Sequence, residues 1–191
     1  MTAARRGADA GQVTVWDPVI RVFHWSLAAA VILALMSDEN RNLHETVGLI
    51  ALGLILVRVL WGFLGPRHAR FSSFVQPPGV ILAYLRDVVR FRARRYLGHN
   101  PAGGAMIILL LATVATAGAS GWLSETDRFF GVAWVEDIHR TSANLLIALI
   151  VFHVIGVILS SLMHGENLVQ AMVTGRKPVA TSQETEGQTA P

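Results

Sequence analysis

The sequence predicts an all-α integral membrane fold, a bundle of four spanning helices, and three observations carry that prediction. Of the 191 residues, 52% are hydrophobic and only 15% charged, too apolar for an ordinary soluble domain. Four apolar runs, residues 19–36, 44–64, 104–123 and 139–162, approach or reach the ~20 residues that a spanning helix needs. The basic residues are spread unevenly. The connector between the second and third runs holds Arg67, Arg70, Arg86, Arg90, Arg92, Arg94 and Arg95, whereas the two other loops contribute only Arg41 and Arg128. Positive residues mark the cytoplasmic side, so both termini and the connector are expected there. The SDENRNL turn and the SETDRFF loop then face outside. This distribution is that of a membrane topology, and it removes a nucleic-acid reading of the formal net charge of +3.

Residues 1–14 read as a flexible, mildly basic tail without the apolar core of a signal peptide. Trp16, Asp17 and Pro18 open the first span with an interfacial aromatic, an N-cap acid and a proline suited to the first helical position. The second span runs from His44 to Leu64. In the connector, Ile81, Leu82, Leu85, Val88 and Val89 share one helical face, which predicts an amphipathic helix lying in the interface between the second and third spans. Residues 100–104, NPAGG, read as the turn into the third span, which carries no ionisable side chain. The fourth span follows the loop SETDRFFGVAWVED. The four-helix domain thus covers residues 15–177, and residues 178–191 read as a disordered tail.

The fourth span, DIHRTSANLLIALIVFHVIGVILSS, carries His139 near one end and His153 well inside. Fourteen residues return the second ring to within ~40° of the first, some ~21 Å along the axis. An ionisable side chain at such depth is costly and points to function. His24 lies thirteen residues before Ser37, hence ~20 Å below the outer edge, level with His153. His44 and His139 both occupy the first turn inward from outside. Antiparallel packing therefore predicts two pairs, His24 with His153 nearer the cytoplasm and His44 with His139 nearer the outside. Ala28, Gly48, Ala143 and Gly156 lie one turn from these histidines and leave room for a flat macrocycle. The chain has no cysteine, which excludes disulfides, iron–sulfur ligation and covalent haem attachment. Two imidazoles without a carboxylate in reach suit haem iron better than zinc, and two axial imidazoles favour electron transfer over oxygen chemistry.

The run VWDPVIRVFHW, the opening LHETVG, the connector motifs GPRHARF and YLGHNPAGG, and IHRTSANLL with FHVIGV resemble the bacterial cytochrome b561 family, which includes the b-type subunits of nickel–iron hydrogenases. The likeness covers residues 13–177. It implies a four-helix cytochrome of the bacterial inner membrane with two haems b, ligated by His24, His44, His139 and His153. It also implies exchange of electrons with quinone and a further redox partner. The expected function is therefore transmembrane electron transfer between the quinone pool and a periplasmic partner such as a c-type cytochrome. The alternatives are a superoxide oxidase feeding quinone, a hydrogenase or dehydrogenase anchor and, from another class, a haem-free histidine-lined metal transporter.

Arg58 lies fourteen residues after His44, so it should point inward near the depth of the inner pair, where a haem propionate or a quinone oxygen could meet it. Arg21 reads as a topology charge. His68, His99 and His164 read as connector or surface histidines, with His164 the substitute ligand if His24 fails. Outside, Asp38, Glu39, Glu45, Glu125, Asp127, Glu136 and Asp137 outnumber Arg41, Arg128 and Arg140. That acidic face would attract a cationic protein and repel superoxide, with Phe129, Phe130 and Trp134 as apolar contacts.

Overall fold

The computed structural model describes residues 11–37 and 39–179. Six α-helices and a two-stranded ribbon occur among them: β1 (Gln12–Thr14), α1 (Pro18–Met36), α2 (Arg41–Leu64), α3 (Pro78–Val89), α4 (Pro101–Ser124), α5 (Ala133–His164), α6 (Leu168–Thr174) and β2 (Arg176–Pro178). α1, α2, α4 and α5 are each long and apolar enough to cross a membrane. α1 packs on α2, α2 on α4 and α4 on α5. Short turns join the first and last of these pairs, and the connector with α3 joins α2 to α4.

Local chemistry sets the helix ends. Asp17 Oδ1 accepts from the backbone N–H of Val19 and Ile20 at 3.0 and 3.2 Å, and Pro18 needs no such partner. Asn40 and Asn100 cap α2 and α4 by accepting from Leu43 and Gly103. In residues 100–104, one turn N–H is thus already bonded to a side chain of the chain itself. α5 stops at Gly165, whose φ of +61° suits glycine. α5 begins at Ala133, six residues before the first histidine of its apolar run. At ~1.5 Å per residue its 32 residues reach ~48 Å, well beyond a ~30 Å hydrocarbon layer.

The packed centre is thin. Ala30, Val31, Ala51, Ile55, Leu111, Val114 and Leu146 form it, while Leu56, Leu60, Phe63 and Phe152 are exposed. Large apolar side chains around whole helices are what a lipid-facing surface requires. On α3, Tyr84 is buried and Leu82, Leu85 and Val89 are exposed.

The tail boundaries expected at residues 14 and 178 fall inside secondary structure. β1 and β2 pair antiparallel, Gln12 opposite Pro178 and Thr14 opposite Arg176. Residues 1–10 and 180–191, and Asp38, lie outside the described residues. A buried ion cluster anchors the ribbon. Glu166 bonds Arg95 at 3.1 Å and Lys177 at 3.1 Å, and Lys177 is only 3% exposed. Lys177 also donates to the Tyr96 carbonyl, and Arg95 to that of Pro178. Burial pushes the Lys177 ammonium down, and Glu166 opposes that fall.

Replacing Glu166 by glutamine leaves two buried cations without their carboxylate. Breaking a buried pair this way costs about 3–5 kcal/mol. Glu166→Gln should therefore lower the melting temperature of the detergent-solubilised protein clearly and expose the ribbon to protease. An unchanged melt would show that water already compensates these charges.

Candidate functional site

The bundle sets two histidine pairs at two depths. His44 of α2 faces His139 of α5 with ring centres 6.0 Å apart, and His24 of α1 faces His153 of α5 at 6.4 Å. A metal held between two imidazole nitrogens at ~2.0 Å from each, with about 1.1 Å from nitrogen to ring centre, separates the centres by about 6 Å. Both pairs match that separation.

Hydrogen bonds orient the outer pair. His44 Nδ1–H donates to the Ala34 carbonyl at 3.0 Å and His139 Nδ1–H to the Ala117 carbonyl at 2.9 Å. A proton on Nδ1 leaves the Nε2 lone pair for a metal, which is how such ligands are usually fixed. Gly121 creates the space for His139: a Cβ there would lie 3.0 Å from the ring. In the inner pair, the His24 ring meets Trp25 edge-on at 5.0 Å, and its buried Nδ1 has no hydrogen-bond partner among the described residues.

No third donor completes either pair. Among the described residues, no group of three His, Cys, Asp or Glu side chains could hold a metal ion. A site with two axial nitrogens therefore needs a group that brings its own equatorial ligands, as a porphyrin does. A Cβ at Gly48 or Gly156 would meet nothing within 4 Å, so both faces stay open beside the imidazoles.

The end of the bundle nearest the connector gathers Arg58 and His99. Arg58 is 3% exposed, its guanidinium 4.9 Å from the centre of Phe71 and 5.9 Å from that of Phe74. Its Nη1 is buried without a partner. His99, expected at the surface, instead packs its ring against Trp16 at 4.4 Å and Phe74 at 4.8 Å. Burial, then Arg58, Lys177 and His68, push it down to about 3, so it is neutral. The flanking apolar residues are separated from His99 in sequence, so no local pattern announces its burial. His68 is half-buried and pushed down mainly by burial. His164 faces the carbonyls of Ser160 and Ala93 at 2.9 and 3.1 Å. It ties α5 to the connector and stands apart from both pairs as a backbone clamp.

On the outer side Arg41 bonds both Glu45 and Glu125, and Asp137 lies 3.8 Å from Arg140. Phe130 and Trp134 are exposed, and Trp134 stacks edge-on against Phe129.

Four apolar helices, three of which present paired imidazoles to one another, define the class of transmembrane b-type cytochromes. Residues 15–175 match the family model described as prokaryotic cytochrome b561, and the chain belongs to that family. It is accordingly a multi-pass membrane b-type cytochrome, and haem b is its cofactor. Curated relatives bear the name probable Ni/Fe-hydrogenase B-type cytochrome subunit. The one from Rhodobacter capsulatus is 20% identical, covering 86% of this chain and 81% of its own. The one from Bradyrhizobium diazoefficiens is also 20% identical, over 92% and 90%. That from Azotobacter chroococcum reaches 26%, over 85% and 87%. No solved structure gives a significant match.

The tight approach of α4 to His139 gives a direct test of the outer pair. Gly121→Val forces the imidazole aside, and overpacking of this kind costs about 1–3 kcal/mol. The purified variant should carry less haem per chain while its helical circular dichroism stays that of the parent. Full haem content would show that no haem depends on this pair.

Proposed function

We propose that this cytochrome holds two haems b and carries electrons across the inner membrane between the quinone pool and a redox partner outside. The observation that carries the reading is the pair of matched imidazole sites. His24 with His153 would ligate the inner iron and His44 with His139 the outer one. The two sites lie ~21 Å apart along α5, which supports a relay across most of the hydrocarbon. Haem, when bound, supplies one-electron chemistry at iron. The paired histidines would supply its nitrogen ligands from the chain, and the apolar bundle would surround it with a low dielectric. The arginine-rich connector supports cytoplasmic termini, with α3 lying in the headgroup region against anionic lipid. Quinone exchange belongs at the cytoplasmic half, on the side of the inner pair.

The outer face supports a protein partner of positive charge. Its six described acids, Glu39, Glu45, Glu125, Asp127, Glu136 and Asp137, oppose Arg41, Arg128 and Arg140, a formal net charge of −3. Asp38, outside the described residues, would add to it. Such a field steers a basic c-type cytochrome and repels superoxide, which bears against the superoxide-oxidase alternative. The names of the relatives favour a second reading of the same wire: the membrane anchor of a nickel–iron hydrogenase, with the hydrogenase as outer partner. A haem-free metal transporter fits poorly with sites that offer two donors each.

Replacement of the ligands tests the pairing. His24→Ala and His153→Ala should each remove the same one of two b-type signals, and His44→Ala and His139→Ala should each remove the other. Optical redox titration reads this directly. Loss of a common signal in His24→Ala and His44→Ala would break the assignment.

Salt dependence tests the partner. Electron transfer to a cationic cytochrome c should slow clearly as the Debye length shrinks toward ~8 Å at 0.15 M salt. A salt-independent rate would remove steering and favour a stable hydrogenase complex. Fast salt-sensitive reduction by superoxide would hand the site to the oxidase.

A further inference from the structure

Arg21 Nε, Arg58 Nη1 and His99 Nδ1 are buried nitrogens without hydrogen-bond partners among the described residues, and the two arginines share one level of the bundle. The level follows from Asp17, whose Oδ1 accepts from Trp61 Nε1 at 3.2 Å and so aligns the base of α1 with the end of α2. At ~1.5 Å per residue, Arg21 lies about 6 Å above Asp17, Arg58 about 4–5 Å above Trp61, and His24 about 10 Å above Asp17. Both guanidinium-bearing positions thus sit roughly one helical turn to the cytoplasmic side of the inner pair.

Contacts join the three groups into one rim. Arg58 and His99 border the same ring, Phe74, which is 2% exposed. His99 stacks on Trp16, whose carbonyl lies so close to Gly175 that a Cβ there would be 2.7 Å away. The same Cβ would lie 3.1 Å from Arg21 Nη1, and Gly175 holds a φ of +82° that favours glycine.

The charge is unbalanced. Asp17 is the nearby carboxylate, and its Oδ1 already serves Val19, Ile20 and Trp61. Glu166 is taken by Arg95 and Lys177. A buried guanidinium with an open N–H demands an anion that can accept from it.

We infer that Arg21, Arg58 and His99 form a cradle for the carboxylates of the inner haem. The inference rests on the dihaem reading and deepens it. Arg58 then serves the carboxylates, and the quinone oxygen finds its donor elsewhere. The guanidinium cations of Arg21 and Arg58 at the carboxylates favour reduced iron, which carries one positive charge fewer than oxidised iron. The neutral His99 adds an N–H donor that acts in the same direction, so the cradle raises the inner haem's midpoint potential.

Redox titration of the full chain in detergent or nanodiscs tests this, with His24→Ala identifying which signal is the inner haem. Arg58→Gln and His99→Leu should each move that signal to lower potential and leave the outer one in place, and Arg58→Lys should restore most of the shift. Protein loaded with haem dimethyl ester should lose the difference between Arg58→Gln and the parent. If Arg58→Gln strips the inner haem, recovery in Arg58→Lys supports the cradle, and loss in both variants overturns it. Unmoved potentials with slowed reduction by a quinol analogue would overturn it too, and would return Arg58 to the quinone site. Failure of the dihaem reading shows separately, as a His24→Ala protein that keeps every b-type signal.

Discussion

An imidazole inside hydrocarbon must have its nitrogens satisfied, and the architecture of this cytochrome follows from that constraint. α5 carries two of the four rings and α1 and α2 one each, so three helices must meet at fixed depths. The outer rings solve half of the problem internally, by donating Nδ1–H to the carbonyls of Ala34 and Ala117. Both carbonyls belong to other helices or turns of the bundle than the donor's own, so each bond orients a ring and ties two elements together. The ring centres of each pair lie 6.0 and 6.4 Å apart, a separation that two metal–nitrogen bonds would span. An apolar core alone would gain nothing from that arrangement. Iron with a porphyrin makes sense of it.

The connector end answers a second electrostatic demand. It carries seven arginines between α2 and α4, and basic groups here are folded inward. Glu166 neutralises Arg95 and Lys177 beneath the β-ribbon. Trp16, Phe71 and Phe74 roof Arg58 and His99 with aromatic faces, which tolerate a cation better than aliphatic ones do. At the opposite end, by contrast, Arg41 bonds Glu45 and Glu125 at the surface, and Phe130 and Trp134 are exposed.

Much of this was legible in the residues because membrane physics is written in long, simple patterns. Span length, the arginine bias and the fourteen-residue spacing in α5 are one-dimensional signals, and depth alone brings His24 to His153 and His44 to His139. What escaped depends on tertiary contact. Gln12–Thr14 forms a strand only because Arg176–Pro178 lies beside it, and three-residue strands carry no period of their own. The start of α5 at Ala133 was hidden because polar residues continue the helix beyond the apolar run. His99 looked like a surface residue of a basic connector. Its burial comes from Trp16, 83 positions earlier, and from Phe74, and neither neighbour can be inferred from composition. Arg21 and Arg58 were visible as charges near the inner pair, but their shared level became clear only through the bond between Asp17 and Trp61.

The central claim is that each facing pair of imidazoles holds one haem. Its most direct measurement is the ratio of haem b to polypeptide in the purified parent protein, by pyridine haemochrome against amino-acid analysis, together with the spin state of the oxidised iron. The account predicts two haems per chain, both low-spin and six-coordinate with two nitrogen axial ligands. One haem per chain, or a high-spin fraction with an open coordination position, would contradict it.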